Sequence, residues 1–423
     1  MATGDRDGGG GTTDGRAADR TADAGAGRGF ELGERLRERE AADLRRELTP
    51  AASVAARTRF DPSGGLRFDA DGELVFASNN YLGLAGDDRV VAAAARAARE
   101  VGTGAGASRL VTGDTGLHRR LERDLAAVKG TDRALVFSSG YAANVGTLGA
   151  LDPDVVFSDE LNHASIIDGC RLAGGETVVY DHADPDALAA AMDERAEREP
   201  GDESWLVVTD SVFSMEGDVA PLGAVCDVAE RHGAWVMVDE AHATGVYGDY
   251  GGGVVQARGL EDRVDVQLGT LSKALASQGG YVAGSDDLVE YLANAARSFV
   301  FSTGLAPPAA GAAREALAVA RAGERRERLR ANVERLRDGL ESMGYRVRGE
   351  SHVLPVAVGD REAALELGEG LRDHGVVAPA IRPPTVPEGT SRIRVAPMAT
   401  HDAADVDACL AAFETEGGRL GLL

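Results

Sequence analysis

Trp205-Leu-Val-Val-Thr-Asp210, a helical run over 222–232, and Trp235-Val-Met-Val-Asp-Glu-Ala-His242 form the stretch that decides the fold. Two short apolar runs flanking an amphipathic stretch make a strand–helix–strand unit, whose strands must be parallel. The same rhythm extends outward in both directions. Strand candidates fall at 134–137, 155–158, 177–180, 205–209, 235–238, 264–268 and 280–283, with helical stretches such as 185–198 between most of them. The expected fold class is α/β, a large domain with a mainly parallel seven-stranded sheet wrapped by helices. Ligands are expected at the carboxyl ends of its strands.

The flanks differ in character. Residues 1–29 hold nine glycines and no aromatic residue. Such a segment buries too little apolar surface to offset its ordering entropy, and a disordered tail is expected. A charged helical pattern follows over 30–48, then a hairpin pairing 66–68 with 73–77 across Asp71-Gly72. After Pro307-Pro308 come long Ala/Arg/Glu helices to about Ser342, strands near 345–348, 353–358 and 392–395, and helices near 362–374 and 402–414. The expected division is a tail (1–29), an N-terminal segment (30–86), a large domain (87–308) and a smaller C-terminal α/β domain (309–423).

Composition narrows the function. The 423 residues include 69 Asp plus Glu against 45 Lys plus Arg, a formal charge of −24. That field repels nucleic acid and anionic membranes, so neither is an expected partner. No uninterrupted apolar run is long enough to span a bilayer and no secretory signal opens the chain. Cys170, Cys226 and Cys409 show no C-x-x-C spacing, which argues against a disulfide or zinc framework and for a soluble protein of a reducing compartment, the cytoplasm. Only two of the 45 basic residues are lysine, Lys129 and Lys273. An acidic, lysine-poor chain suits high salt, where a strongly charged surface stays hydrated and self-repulsion is screened. A GC-rich genome favouring arginine codons would leave the same mark.

Three polar clusters stand at successive strand ends: Ser158-Asp-Glu-Leu-Asn-His163, Asp210-Ser-Val-Phe-Ser214 and Asp239-Glu-Ala-His242. Such ends converge on one crevice. Ser138-Ser-Gly-Tyr-Ala-Ala-Asn144 leaves a strand and opens a helix, the context in which free N–H groups hold an anion, although a Ser N-cap has the same signature. Gly102-Thr-Gly-Ala-Gly-Ala107 has the spacing of a dinucleotide fingerprint but follows a helix, so a flexible loop or domain crossing is the better reading. His163, Asp239 and His242 lack the Cys partners or H-x-x-x-H spacing of a zinc site. Lys273, just past a buried strand among Thr, Ser and Gly, would be partly desolvated, which lowers an amine's pKa and frees its lone pair for Schiff-base chemistry. Lys129 ends an amphipathic helix before Gly130, where a solvated cation complementing the helix dipole is expected. Anion cradle, strand-end Asp, strand-end His and buried Lys together describe a pyridoxal phosphate site.

Asn79-Asn-Tyr-Leu-Gly-Leu84, Leu161-Asn-His-Ala-Ser-Ile-Ile-Asp-Gly169, Val212-Phe-Ser-Met-Glu-Gly-Asp218, Val238-Asp-Glu-Ala-His-Ala-Thr-Gly245 and Thr270-Leu-Ser-Lys273 resemble the α-oxoamine synthases, pyridoxal phosphate enzymes of fold type I. The resemblance runs from about residue 31 to the C-terminus with the motifs in order. It implies that Lys273 joins the cofactor and later moves the Cα proton, that Asp239 pairs with the ring nitrogen, that His163 stacks on the ring and that His242 reaches its phenolic oxygen. The Ser139-Gly140-Tyr141 backbone and Thr270 would hold the phosphate, with Ser302 or Thr303 reaching across a homodimer interface into a shared active site. Ser214 and Asn79 would meet ring or substrate, and Arg394 would clamp the amino acid carboxylate. Arg45 or Arg46 resembles an arginine that meets the far end of the acyl chain. Glu216 stands where the family carries Asp.

Residues 378–386 and 137–146 most resemble members that condense L-alanine with a pimeloyl thioester, carried by CoA or an acyl carrier protein, in biotin biosynthesis. Glycine with acetyl-CoA, in a glycine C-acetyltransferase, is the alternative. A fold-type-I aminotransferase and a catalytically silent subunit are more distant readings, and the presence of Lys273 speaks against the second. The salt-adaptation reading predicts that folding and activity collapse in dilute buffer and recover in concentrated salt; equal thermal stability in both would overturn it.

Overall fold

A computed structural model of the chain describes residues 30–42, 44–45, 48–60, 72–198 and 201–423. It divides into two units, Met1–Thr49 and Pro50–Leu423. In the first, the helix Leu32–Ala41 is shorter than its charge pattern suggested and buries none of its residues. The Arg45 guanidinium donates to Glu40 at 2.8 Å within this unit. Arg46 lies outside the described residues, as do the tail and the 66–68 arm of the expected hairpin.

The second unit is built on a seven-stranded sheet. Its strands, labelled in chain order, are β1 (Arg133–Phe137), β2 (Val155–Asp159), β3 (Glu176–Tyr180), β4 (Trp205–Asp210), β5 (Trp235–Asp239), β6 (Val266–Thr270) and β7 (Gly280–Gly284). Their order across the sheet is β1-β7-β6-β5-β4-β2-β3. β7 runs antiparallel to both neighbours and all other pairings are parallel. Each expected strand is present to within two residues. The largest shift is at β6, which runs on through Thr270 and so carries that hydroxyl on the strand itself.

Helices cover both faces, and for that reason the strands read as continuous apolar runs. Leu135, Phe137, Val156, Leu206, Val208, Met237 and Leu268 pack under the helices Gly140–Leu151, Ala164–Leu172 and Asp286–Ala295. Alternate residues point the other way. Val155, Phe157, Val207, Val236 and Val238 meet Pro185–Arg198 and Leu222–His232, and Ala134, Val136, Tyr281 and Ala283 meet Gly116–Lys129. Pro307 opens the helix Pro307–Ala322, whose Ala310, Ala313, Ala316 and Leu317 join this last core. The compositional change at Pro308 therefore falls inside the main-sheet core. A four-stranded antiparallel sheet follows, in the order Arg346–Val347, Leu354–Gly359, Ser391–Val395, Ala380–Ile381. It packs against Glu324–Met343, Arg361–Asp373 and Ala403–Leu420. Glu73–Val75 pairs antiparallel with Arg57–Thr58 and parallel with Val376–Val377, which ties the N-terminal segment to the C-terminal part.

The expectation for Lys129 is corrected. Its side chain and that of Glu240 are both wholly buried, and the two form an ion pair. The ammonium also donates to the Gly252 carbonyl, while the other Glu240 oxygen accepts from the Val255 N–H at 2.8 Å. The helix Gly116–Lys129 ends against the loop that follows β5, so its last residue points inward instead of to solvent. Gly253, at φ +112°, lies so close that a Cβ there would collide with the Glu240 carboxylate. Burial pushes the Lys129 ammonium down to about 7. Lys129→Met strands the Glu240 carboxylate and should cost about 3–5 kcal/mol, while the double change Lys129→Met, Glu240→Met should recover most of it. Urea unfolding of the three chains checks this, and equal losses in the single and double variants would refute it.

Candidate active site

Because β1, β2, β4, β5 and β6 point the same way, their carboxyl ends share one edge of the sheet. A cavity of about 260 Å³ opens there, lined by Ser139, Gly140, Tyr141, Asn144, His163, Ser165, Asp210, Ser214, Asp239, Ala241, His242, Thr270, Ser272 and Lys273. Every strand-end cluster singled out in the sequence contributes to it.

β1 leads into the helix Gly140–Leu151, capped by Ser139, whose Oγ accepts from the Ala142 N–H at 3.0 Å. The first N–H groups of that helix have no carbonyl partner within it and can receive an anion. Gly280, paired with both Phe137 and Thr270, closes the cradle from β7. A Cβ at Gly280 would sit 2.6 Å from the Gly140 Cα, so only glycine fits. Thr270 Oγ1 lies 2.8 Å from Ser272 Oγ and donates to the Gly279 carbonyl at 2.9 Å.

Asp239 ends β5 with its carboxylate buried. Asn144 Nδ2 donates to Oδ2 and the Ala241 N–H to Oδ1, each at 2.8 Å. His163 caps the helix Ala164–Leu172. Its ring accepts from the Ser165 N–H at 3.2 Å, and the His163 backbone N–H donates to Asp210 Oδ2 at 3.0 Å. Burial, reinforced by the neighbouring Asp239, holds the Asp210 carboxyl well above the usual carboxylate range.

Lys273 Nζ lies 2.8 Å from His242 Nε2. Desolvation lowers the Lys273 ammonium from 10.5 to about 8, against the opposing pull of Asp239 and Asp210. His242 is buried, and desolvation followed by the Lys273 and Arg394 charges pushes its pKa well below that of an ordinary histidine, so the ring is neutral. Arg394, buried on the C-terminal sheet, donates from Nε to the Ser214 carbonyl at 2.6 Å and from Nη2 to Asn79 Oδ1 at 3.1 Å. Two residues earlier on the same strand face, Arg392 reaches the Met215 carbonyl at 3.0 Å and Glu216 at 3.3 Å.

Lys273, Asp239, His163, His242, Ser139, Gly140, Tyr141, Thr270 and Ser214 thus line one cavity. Asn79 and Arg394 stand behind it, joined to His242 through Tyr81. Ser302 and Thr303 are not among the residues lining the cavity of their own chain; Thr303 bridges to Ser108, at the end of the glycine-rich loop. Reading by motif passed over Tyr81, Asn144 and Asp210. All three sit inside quoted motifs, and Asn144 lies one helical turn beyond the cradle, a spacing that aims its side chain back toward the strand ends. Tyr81 had no such signal, since two of its partners, His242 and Arg394, come from distant parts of the chain.

A family model described as Aminotransferase class I and II matches residues 72–413. The chain belongs to that family. An 8-amino-7-oxononanoate synthase of Anaeromyxobacter dehalogenans is 49% identical over 389 residues, covering 90% of this chain and 94% of its own. The 8-amino-7-oxononanoate synthase 2 of Bacillus subtilis is 44% identical over 361 residues, 84% of this chain and 91% of its own. A serine palmitoyltransferase of Sphingomonas wittichii superposes with a TM-score of 0.84 at 31% identity, over 93% of this chain and 98% of that one. These relatives place the chain among the α-oxoamine synthases, with the fold of type I. The 8-amino-7-oxononanoate synthase of Francisella tularensis, at 22% identity and a TM-score of 0.67, shares the fold.

The lowered Lys273 value makes a direct prediction. Acetylation of Lys273 by acetic anhydride, followed by peptide mass analysis, should rise with pH through about 8 and level off above, because only the unprotonated amine reacts. A midpoint at the ordinary 10.5 would contradict the desolvated site.

Proposed function

We propose that this α-oxoamine synthase condenses L-alanine with a pimeloyl thioester to give 8-amino-7-oxononanoate, carbon dioxide and a free thiol, with pyridoxal 5'-phosphate as cofactor. The observation that carries this reading is the identity of 44–50% with proteins bearing that activity's name, over most of both chains, joined to a cavity whose one amine is Lys273.

The residues present fit the cofactor. An amine for its aldehyde, a buried carboxylate for its ring nitrogen, an imidazole for its face and a cradle of free N–H groups, Thr270 and glycine for its phosphate line one cavity. Bound there, pyridoxal phosphate supplies an electron sink next to the amino acid Cα. Asp239, stiffened by Asn144 and the Ala241 N–H, would face the ring nitrogen and so favour its protonated form. His163 would stand against the ring face and His242 would reach toward its phenolic oxygen. Arg394 clamps the alanine carboxylate, a task that suits its planar fork. Lys273 Nζ takes the Cα proton as general base, a role matched to an amine poised at about 8. The new bond joins alanine Cα to the thioester carbonyl carbon as the C–S bond breaks and the thiol leaves, the α-carboxylate departs as carbon dioxide, and Cα takes up a proton in its place to give the aminoketone.

The active unit in this reading is a homodimer. Tyr141, at the cavity mouth, is half exposed, and Leu110, Val111 and Phe301 expose apolar side chains that a second copy would cover. Ser302 or Thr303 of that copy would complete the phosphate site. The large domain, 87–308, would carry the cofactor, and the smaller one, 309–423, would bring Arg394. A cytoplasmic setting accords with three unpaired cysteines and with the lack, among the described residues, of a helix long and apolar enough to cross a membrane. Salt adaptation accords with arginine having replaced lysine everywhere except at two inward-facing positions.

Thiol release in high salt, with L-alanine and glycine each paired with pimeloyl-CoA and acetyl-CoA, tests the reading. Release with alanine plus pimeloyl-CoA is expected, falling to background in Lys273→Ala and with the alanine KM raised at least about tenfold in Arg394→Lys, which loses the bidentate fork. Preference for glycine plus acetyl-CoA would reassign the substrates, and wild-type turnover by Lys273→Ala would sink the site.

A further inference from the structure

Tyr81 is wholly buried, and its hydroxyl stands where three polar side chains meet. It lies 2.6 Å from His242 Nδ1, donates to Asn79 Oδ1 at 2.9 Å, and accepts from Arg394 Nη2 at 3.4 Å. On the far side of His242, Nε2 meets Lys273 Nζ at 2.8 Å. We propose that Tyr81 is a positioning residue whose hydroxyl sets the tautomer of His242 and ties Lys273 to Arg394 through one directed hydrogen-bond chain. The inference rests on the reading of Lys273 and Arg394 as the amine and carboxylate sites of the proposed reaction.

Donor counting fixes the direction of the chain. A lysine ammonium has only hydrogens to offer, so His242 Nε2 must accept from it. His242 is neutral, so its single ring hydrogen then sits on Nδ1 and is donated to the Tyr81 oxygen. The tyrosine hydroxyl has one hydrogen of its own, and the remaining acceptor within reach is Asn79 Oδ1. Asn79 Oδ1 also accepts from Arg394, which forbids the flipped amide because that would set an NH₂ group against a guanidinium. Arg394 Nη2 has two hydrogens, one for Asn79 Oδ1 and one for the Tyr81 oxygen, so no hydrogen serves two acceptors and no acceptor faces another.

The surroundings hold the tyrosine ring in place without competing for its hydroxyl. His352 packs edge-on to Tyr81 with ring centres 4.2 Å apart, and neither of its nitrogens has a polar partner. Burial takes its pKa down to about 3, so it stays uncharged. The charged and titratable groups facing the chain are Arg394 at the Tyr81 end, His163 and His352 beside His242, and Asp239, Asp210 and Arg394 around Lys273; the two carboxyl groups favour the ammonium and the arginine opposes it. Without the hydroxyl, a hydrogen on His242 Nδ1 is buried with no acceptor, so the tautomer that accepts from Lys273 is disfavoured and the ammonium is held less well.

The test reads the pH profile of Lys273 acetylation on the full-length, cofactor-free chain, in wild type, Tyr81→Phe and Asn79→Ala. Tyr81→Phe keeps the ring that packs on His352 and removes the hydroxyl alone. Asn79→Ala leaves Tyr81 whole but turns its hydrogen toward His242 Nδ1, which moves the ring hydrogen to Nε2. Both variants should lower the acetylation midpoint by about one pH unit, a tenfold change in the ammonium-to-amine ratio, with thermal unfolding unchanged. A wild-type midpoint in folded Tyr81→Phe overturns the proposal, and if that variant does not fold, a wild-type midpoint in Asn79→Ala does so. The labelling uses no substrate, so it stands or falls separately from thiol release with L-alanine and pimeloyl-CoA.

Discussion

The desolvation of one amine is the constraint on which the rest of this structure depends. Lys273 cannot be held near neutrality on a surface, because water restores the ordinary ammonium. It has to sit at the mouth of a sheet covered on both faces, with its counter-charges close but few. The seven-stranded sheet meets that requirement by ending its parallel strands at one edge, so that Asp239 and His242 from the end of β5, Asp210 from β4 and His163 from the loop after β2 surround the amine. The antiparallel β7 adds Gly280 at the same edge, where the absence of a side chain leaves room for an anion.

The same logic explains which lysines survive. A chain with 43 arginines and two lysines keeps lysine only where guanidinium chemistry fails. Lys273 needs a primary amine. Lys129 is enclosed with Glu240 directly behind the turn that carries Asp239, Ala241 and His242, a space sized for a compact ammonium. The pair joins the end of the helix Gly116–Lys129 to the loop after β5, and so braces the functional turn from the side opposite the cavity. A buried ion pair is a poor source of net stability, but its two partners cannot be separated without stranding a charge, which makes it an effective constraint on geometry.

Much of the fold was legible in the sequence because buried parallel strands and amphipathic helices leave strong local signals. The helices Pro185–Arg198 and Leu222–His232 fall where the pattern put them, and the strand-end clusters converge as their positions require. The signal failed where local sequence was ambiguous. A lysine at a helix C-terminus before glycine reads as solvated, and nothing nearby in sequence announces Glu240, more than a hundred residues away. The double proline at 307–308 reads as a boundary, yet proline equally favours a helix N-terminus, and this helix packs on the main core. The charge pattern over 30–48 extends beyond the helix that forms, since a helix with no buried face draws support only from its own weak local bonds.

Residue types and their order along the chain were enough to determine the α/β class and the strands, and to bring Lys273, Asp239, His163 and His242 to one cavity, because each follows a strand end and strand ends of a parallel sheet must share an edge. Only the tertiary structure decided how those groups are wired. Tyr81 between His242 and Arg394, Asn144 on Asp239, and Lys129 on Glu240 all join segments far apart in the chain. Their energetics depend on burial and on angles of a few degrees. Neither leaves a periodic trace in sequence, and so those partnerships became visible when the chain was closed on itself.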